Sequence, residues 1–182
     1  MILFDPDLEP DAAPQLKKRM RKVGAQESQT SERKDRLPTA RTLERFLRAA
    51  QTAVRLRGAV TVLLTTDRAI RRLNQEFRGK DKATDVLSFP AGEMAGDEAG
   101  DLAISVQTAR KQAAEHGHAL AVELKVLMLH GLLHLAGYDH ETDAGQMAKR
   151  ERALRAKLGL PLGLIERVEG KPAKAVARGG RR

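Results

Sequence analysis

Apolar positions along this chain follow two periods, and the switches between them mark out the elements. Met1-Ile2-Leu3-Phe4 is an apolar run long enough for one short strand, followed by a turn rich in proline and acid. Leu43, Phe46, Leu47, Ala50 and Val54 recur at helical spacing, with Thr39 or Thr42 to cap the helix and Gly58 to stop it. Ala59–Thr65 is a β-branched apolar run and predicts a buried strand. Asp67 can cap a second helix, whose apolar face is Ile70, Leu73 and Phe77 and whose stop is Gly79. Thr84–Phe89, ended by Pro90, predicts another strand, and Asp101–Val106 a further one after the glycine- and acid-rich loop at 91–100. A polar helix over about 108–116 stops at Gly117. A last helix over about 144–158 turns Met147, Leu154 and Leu158 inward and ends at Gly159-Leu160-Pro161.

Between these two helices, Ala119–Ala136 is apolar almost all round. Its length invites a membrane span, but Glu123, Lys125, His130 and His134 interrupt it, so a helix buried at the domain centre is the better reading. Strands and helices mix without strict alternation, which predicts an α+β layer arrangement rather than a doubly wound sheet.

Composition sharpens this picture in three places. The 182 residues suit one domain, read here as 1–168, with a polar, basic segment at 15–38 as a mobile insertion and 169–182 as a disordered basic tail. Aromatics are only 3%, so the core rests on Leu, Ala, Val and Ile, and the absence of cysteine excludes disulfides, thiolate ligands and a Cys nucleophile. The N-terminus meets Asp5, Asp7, Glu9 and Asp11 without a basic or apolar run, so it is no signal peptide, and the expectation is a soluble cytoplasmic domain. The net charge of +9 is uneven: residues 15–36 hold eight bases against three acids, and 167–182 six against one. Those flanks suit a polyanion, and neither has an amphipathic face to insert into lipid.

The informative stretch is His130-Gly131-Leu132-Leu133-His134-Leu135-Ala136-Gly137-Tyr138-Asp139-His140. His130 and His134 lie one turn apart on one helix face, and Gly137 can end the helix so that His140 returns towards them. Three neutral imidazoles so arranged form a three-ligand metal site with an open position. The spacing matches the metzincin pattern H-E-x-x-H-x-x-G-x-x-H, except that the Glu, the general base of peptide hydrolysis, is Gly131 here. Three neutral ligands leave a dication's charge uncompensated, which favours a phosphodiester over a peptide. Asp139, beside His140, suits either a carboxylate that hydrogen-bonds and orients a ligating histidine or a helix cap. A basic turn precedes the third strand: Arg78, Lys80 and Lys82 surround Gly79, and arginine is the side chain for a two-pronged grip on phosphate. His116 and His118, beside Gly117, read as surface residues.

The stretches FRGKDKATDVLSFP at 77–90, GDLAIS at 100–105 and HGLLHLAGYDHETD at 130–143 together resemble the YbeY family of bacterial endoribonucleases, over roughly residues 41–168. The resemblance implies an α+β, zincin-like fold with a small mixed sheet of about four strands and a central helix carrying the first two ligands. It implies one Zn2+ per chain on His130, His134 and His140, and Arg78 as the active-site arginine. It implies cleavage of single-stranded RNA, 16S rRNA 3′-end maturation and ribosome quality control. The partners would be the rRNA precursor and the ribosome, with a small-subunit ribosomal protein or an assembly GTPase as protein partners, and no membrane. Lys80 and Lys82 would help hold the RNA backbone. In one departure, Asp85 stands where the family's TNVLSFP stretch has Asn.

The leading expectation is therefore a zinc-dependent endoribonuclease acting on rRNA. The alternative is a non-catalytic, zinc-containing assembly factor that binds RNA. A peptide hydrolase comes third, since Gly131 removes the base it would need.

Overall fold

The computed structural model describes residues 1–8, 34–92, 96–140 and 143–161. The segment 15–33 of the expected insertion and the expected tail at 169–182 lie outside the described residues. Four strands, β1 (Ile2–Phe4), β2 (Ala59–Thr65), β3 (Val86–Pro90) and β4 (Glu98–Ser105), form one sheet in the order β1-β2-β4-β3. β1, β2 and β4 run parallel and β3 runs antiparallel to β4, so the sheet is mixed. The helices are α1 (Ala40–Val54), α2 (Asp67–Arg78), α3 (Val106–Glu115), α4 (Leu120–Leu135) and α5 (Gln146–Leu158).

Alternation along the strands sorts the core onto two faces. Val60, Val62 and Leu64 of β2 and Leu102 and Ile104 of β4 join Leu43 and Leu47 of α1, Leu124 and Leu127 of α4 and Met147 of α5. The opposite face is smaller: Leu87 and Ala103 meet Ile70 of α2, with Leu73 and Phe89 packed alongside. α4 is buried on nearly every side, from Leu120 through Leu135, which explains its uniform apolarity. Among the described residues no single helix is long and apolar enough to cross a membrane.

Several boundaries differ from the pattern-based reading, each for a local reason. Thr39 caps α1, and the helix ends at Arg55 in the left-handed region (φ 69°) rather than at Gly58. Gly58 is needed three residues later, where a Cβ would lie 2.8 Å from the Ala99 nitrogen and the Asp97 oxygen. Thr66, not Asp67, caps α2. The Asp67 carboxylate reaches across instead to the Ser105 hydroxyl and to Thr108 Oγ1 at 2.8 Å, tying α2 to the β4–α3 junction. Burial by itself would raise the Asp67 pKa, but those hydrogen bonds and the Lys111 charge outweigh it and hold it below the ordinary 3.8. Phe77 is 60% exposed although it falls on the expected apolar face, because it sits at the end of α2 and packs edge-on against Phe89 of the edge strand at 5.1 Å.

Candidate metal centre

The last two turns of α4 carry His130 and His134 on one face, and the chain then reverses. Gly137 adopts φ +87°, and the Tyr138 N–H donates to the Leu133 carbonyl at 3.0 Å, closing the helix with a left-handed glycine. The reversal returns His140 to the other two. Ring centroids are 4.8 Å apart for His130–His134, 5.3 Å for His130–His140 and 5.2 Å for His134–His140, a nearly equilateral triangle. One ring nitrogen from each histidine lies within 4.8 Å of the other two. The Nε2 atoms of His130 and His134 are 3.2 Å apart. Two nitrogens on a tetrahedral zinc, each about 2.05 Å from it, stand about 3.3 Å apart, so the spacing fits a shared ion. Exposure rises through the set: His130 is buried, His134 half-buried and His140 exposed, so the cluster opens on the His140 side.

Electrostatics keep His134 ready to ligate. Burial first, then the neighbouring His130 and His140, push its pKa from 6.5 down to about 4, against a smaller opposing effect of Asp139. Its lone pair is therefore available at neutral pH. His130 is held from behind by Glu151, whose Oε2 lies 3.1 Å from Nδ1. An Nδ1–H donating to that carboxylate leaves Nε2 unprotonated and aimed at the cluster. Glu151 is itself clamped by Arg155, with Nε at 2.8 Å and Nη2 at 2.6 Å from Oε1. Both are 1–2% exposed, and Arg155 Nη1 donates to the Pro161 carbonyl at 2.8 Å. Glu151 was missed in the sequence. The available signal was its place with Arg155 on the inward stripe of α5, between Met147 and Leu154, where a solvated charge does not belong.

Gly131 now has a structural reason. A Cβ there would come 2.7 Å from Leu102 Cδ2 and 3.3 Å from the Ser88 hydroxyl, because this side of α4 lies directly on β3 and β4. A glutamate at this position would collide with the sheet.

Arg78, Lys80 and Lys82 are all exposed, at and after the C-terminus of α2. Gly79 (φ 66°) ends the helix, and the nearly buried Asn74 holds the turn by donating to the Lys82 carbonyl at 2.8 Å. Arg71 grips the turn's own acid, Asp81, through two bonds of 2.7 Å. The end of α2, with Arg78, and the end of α4, with His134, lie at one end of the sheet. Phe77 packs on Phe89, and at Gly100, opposite that end of β3, a Cβ would collide with the Phe89 carbonyl and lie 3.0 Å from Leu135 Cδ2. The two helices pack on opposite faces of the sheet.

Asp139 is exposed. It is the Asp143 carboxylate that caps α5, accepting from Gly145, Gln146 and Met147 N–H groups at 2.8, 3.1 and 2.8 Å. Asp85 uses both oxygens as acceptors, for Val86 N–H at 2.8 Å and Gln112 Nε2 at 2.9 Å. His118 departs from the surface role expected of it: its ring is largely covered and paired with the fully buried Glu123.

A protein-family model described as Endoribonuclease YbeY matches residues 24–159. The chain belongs to the YbeY family. A YbeY relative from Solibacter usitatus is 56% identical over 127 residues, covering 70% of this chain and 84% of its own. One from Koribacter versatilis is 54% identical over 137 residues, covering 75% and 88%. Both carry the name Endoribonuclease YbeY. A solution structure from Thermotoga maritima aligns with 80% of this chain and 95% of its own, at 28% identity and a TM-score of 0.49. The YbeY match spans the histidines, the basic turn and the Glu151–Arg155 pair together.

Proposed function

We propose that this protein is a zinc-dependent endoribonuclease that cuts single-stranded RNA in maturing the 3′ end of 16S rRNA and in ribosome quality control. The observation that carries the reading is the convergence of His130, His134 and His140 in a chain of the YbeY family, with one histidine oriented by a buried carboxylate. Zinc held by these three histidines would supply Lewis-acid polarisation to a phosphodiester.

The protein side supplies position and charge. His130, His134 and His140 are neutral donors, so the centre keeps its positive charge for a phosphodiester. Glu151, braced by Arg155, is the positioning residue that fixes the His130 ring and its tautomer. Arg78 grips non-bridging phosphate oxygens and stabilises the added negative charge of the pentacoordinate transition state. RNA wrapping the β3 edge would touch both the basic turn and the histidines, with Lys80 and Lys82 holding the backbone. The exposed ring of Phe77 offers a stacking face to an unpaired base, in keeping with single-stranded substrate. Asp139 supports the site through its charge beside His134. The setting is the cytoplasmic ribosome, with the 16S precursor as substrate and a small-subunit protein or assembly GTPase as partner.

The reading as a non-catalytic binding factor is not favoured, since the cluster opens to solvent at His140 rather than closing around four protein ligands. The deciding experiment is cleavage of an RNA spanning the 16S 3′ end by wild type and His134→Ala, purified identically and tested with and without small ribosomal subunits. Cutting by wild type alone is expected. Equal cutting by both, or by neither, overturns the proposal.

A further inference from the structure

A second set of metal-ligating side chains sits at the other end of α4. His116, His118 and Glu123 each bring one donor atom within 4.8 Å of the others. The backbone fixes both histidines: the His116 N–H donates to the Gln112 carbonyl at 3.0 Å and the His118 N–H to the Ala113 carbonyl at 3.1 Å. Gly117 between them takes φ +71°, and their rings stack with centroids 5.7 Å apart and planes 24° apart. Glu123 comes from the first turn of α4, is 0% exposed, and its Oε2 meets His118 Nε2.

A fully buried carboxylate needs a charged or hydrogen-bonded partner. His118 meets that need, and the His116 ring stacked on it brings a second imidazole donor to the same carboxylate. A divalent ion shared by two neutral imidazoles and one carboxylate satisfies all three groups, and this donor set suits zinc, nickel or copper. The residues play no part in the nuclease reading.

We propose that His116, His118 and Glu123 form a second site for a divalent transition metal, at the 112° bend between α3 and α4. The site is structural. His116 is exposed, which gives an ion a route in and solvent to complete its coordination. Glu123 and His130 are seven residues apart on one helix, so they share a face about 10 Å apart along the axis. Tying Glu123 to the end of α3 therefore also sets the rotation of α4 that presents His130 and His134.

The test is a count of Zn2+ on the full chain, stripped with chelator, reloaded and dialysed, then read by mass spectrometry. Wild type should retain two ions per chain, and His116→Ala and His134→Ala one each. The double variant should retain none. His116 is exposed, so its removal leaves the fold intact, which far-UV circular dichroism checks. In His134→Ala, added Zn2+ should raise the unfolding temperature, and in the double variant it should not. One ion on wild type, or two on His116→Ala, overturns the proposal.

Discussion

The histidine centre and the basic turn are held in opposite ways. The three histidines are carried by the most buried helix and its closing turn, and the first of them is braced by Glu151 and Arg155, both almost without solvent exposure. Arg78 stands in solvent at the end of α2, and Lys80 and Lys82 stand on the seven-residue connection after it, kept in shape by Asn74 and the Arg71–Asp81 fork. The first region is rigid because the core would have to open to move it. The second is shaped by a few polar bonds and can adjust to a flexible polyanion. A nuclease needs both: fixed geometry where the bond breaks and tolerance where the backbone is gripped.

Substitutions should separate the two regions. The largest effect is expected from His134→Ala, which should abolish metal retention at the centre and cleavage together. Arg78→Ala should lower kcat about 10²- to 10³-fold, as loss of a transition-state charge donor does, with the metal content unchanged. A parallel loss of metal in Arg78→Ala would erase the distinction between the regions. Glu151→Gln should weaken metal affinity by about 10- to 100-fold, the usual cost of losing an outer-shell carboxylate, and competition with a chromophoric chelator measures it.

Smaller effects sharpen the contrast. Metal-free protein should lose stability as pH falls from about 6.5 towards 4. The folded state holds His134 near 4, so the unfolded chain takes up that proton first. Melting temperatures of wild type should fall across that window, and those of metal-free His134→Ala should fall less. Asp67 acts lower: its carboxyl is depressed below 3.8, so its contribution is present above that value and is lost as pH drops beneath it. Lys80→Ala and Lys82→Ala should each reduce the salt slope of RNA binding by about one unit, with kcat nearly unchanged. A steep drop in kcat would instead place these lysines at the reacting phosphate.

The histidine cluster was legible because its information is local. His130, His134, Gly137 and His140 span eleven residues, and helix periodicity with one left-handed glycine is enough to bring them together. Glu151 was not, because its distance from His130 depends on how α5 lies against α4. Phe77 and His118 were misplaced for a related reason. Periodicity says which side of a helix a residue occupies, but not whether the packing partner extends to that turn. Phe77 runs past the sheet edge, whereas His118 is drawn inward by the carboxylate of Glu123.

By itself the sequence determined the elements, the α+β class, the buried central helix and the histidine triad, all of which depend on short-range spacing and hydrophobic pattern. Tertiary structure alone decided the sheet order, the Glu151–Arg155 brace, the glycine at 131 and the side of β3 on which Arg78 stands. Each of these rests on pairs far apart in the chain. Gly131, for example, is required by Leu102 and Ser88 on two different strands, and its own neighbours in sequence do not call for it.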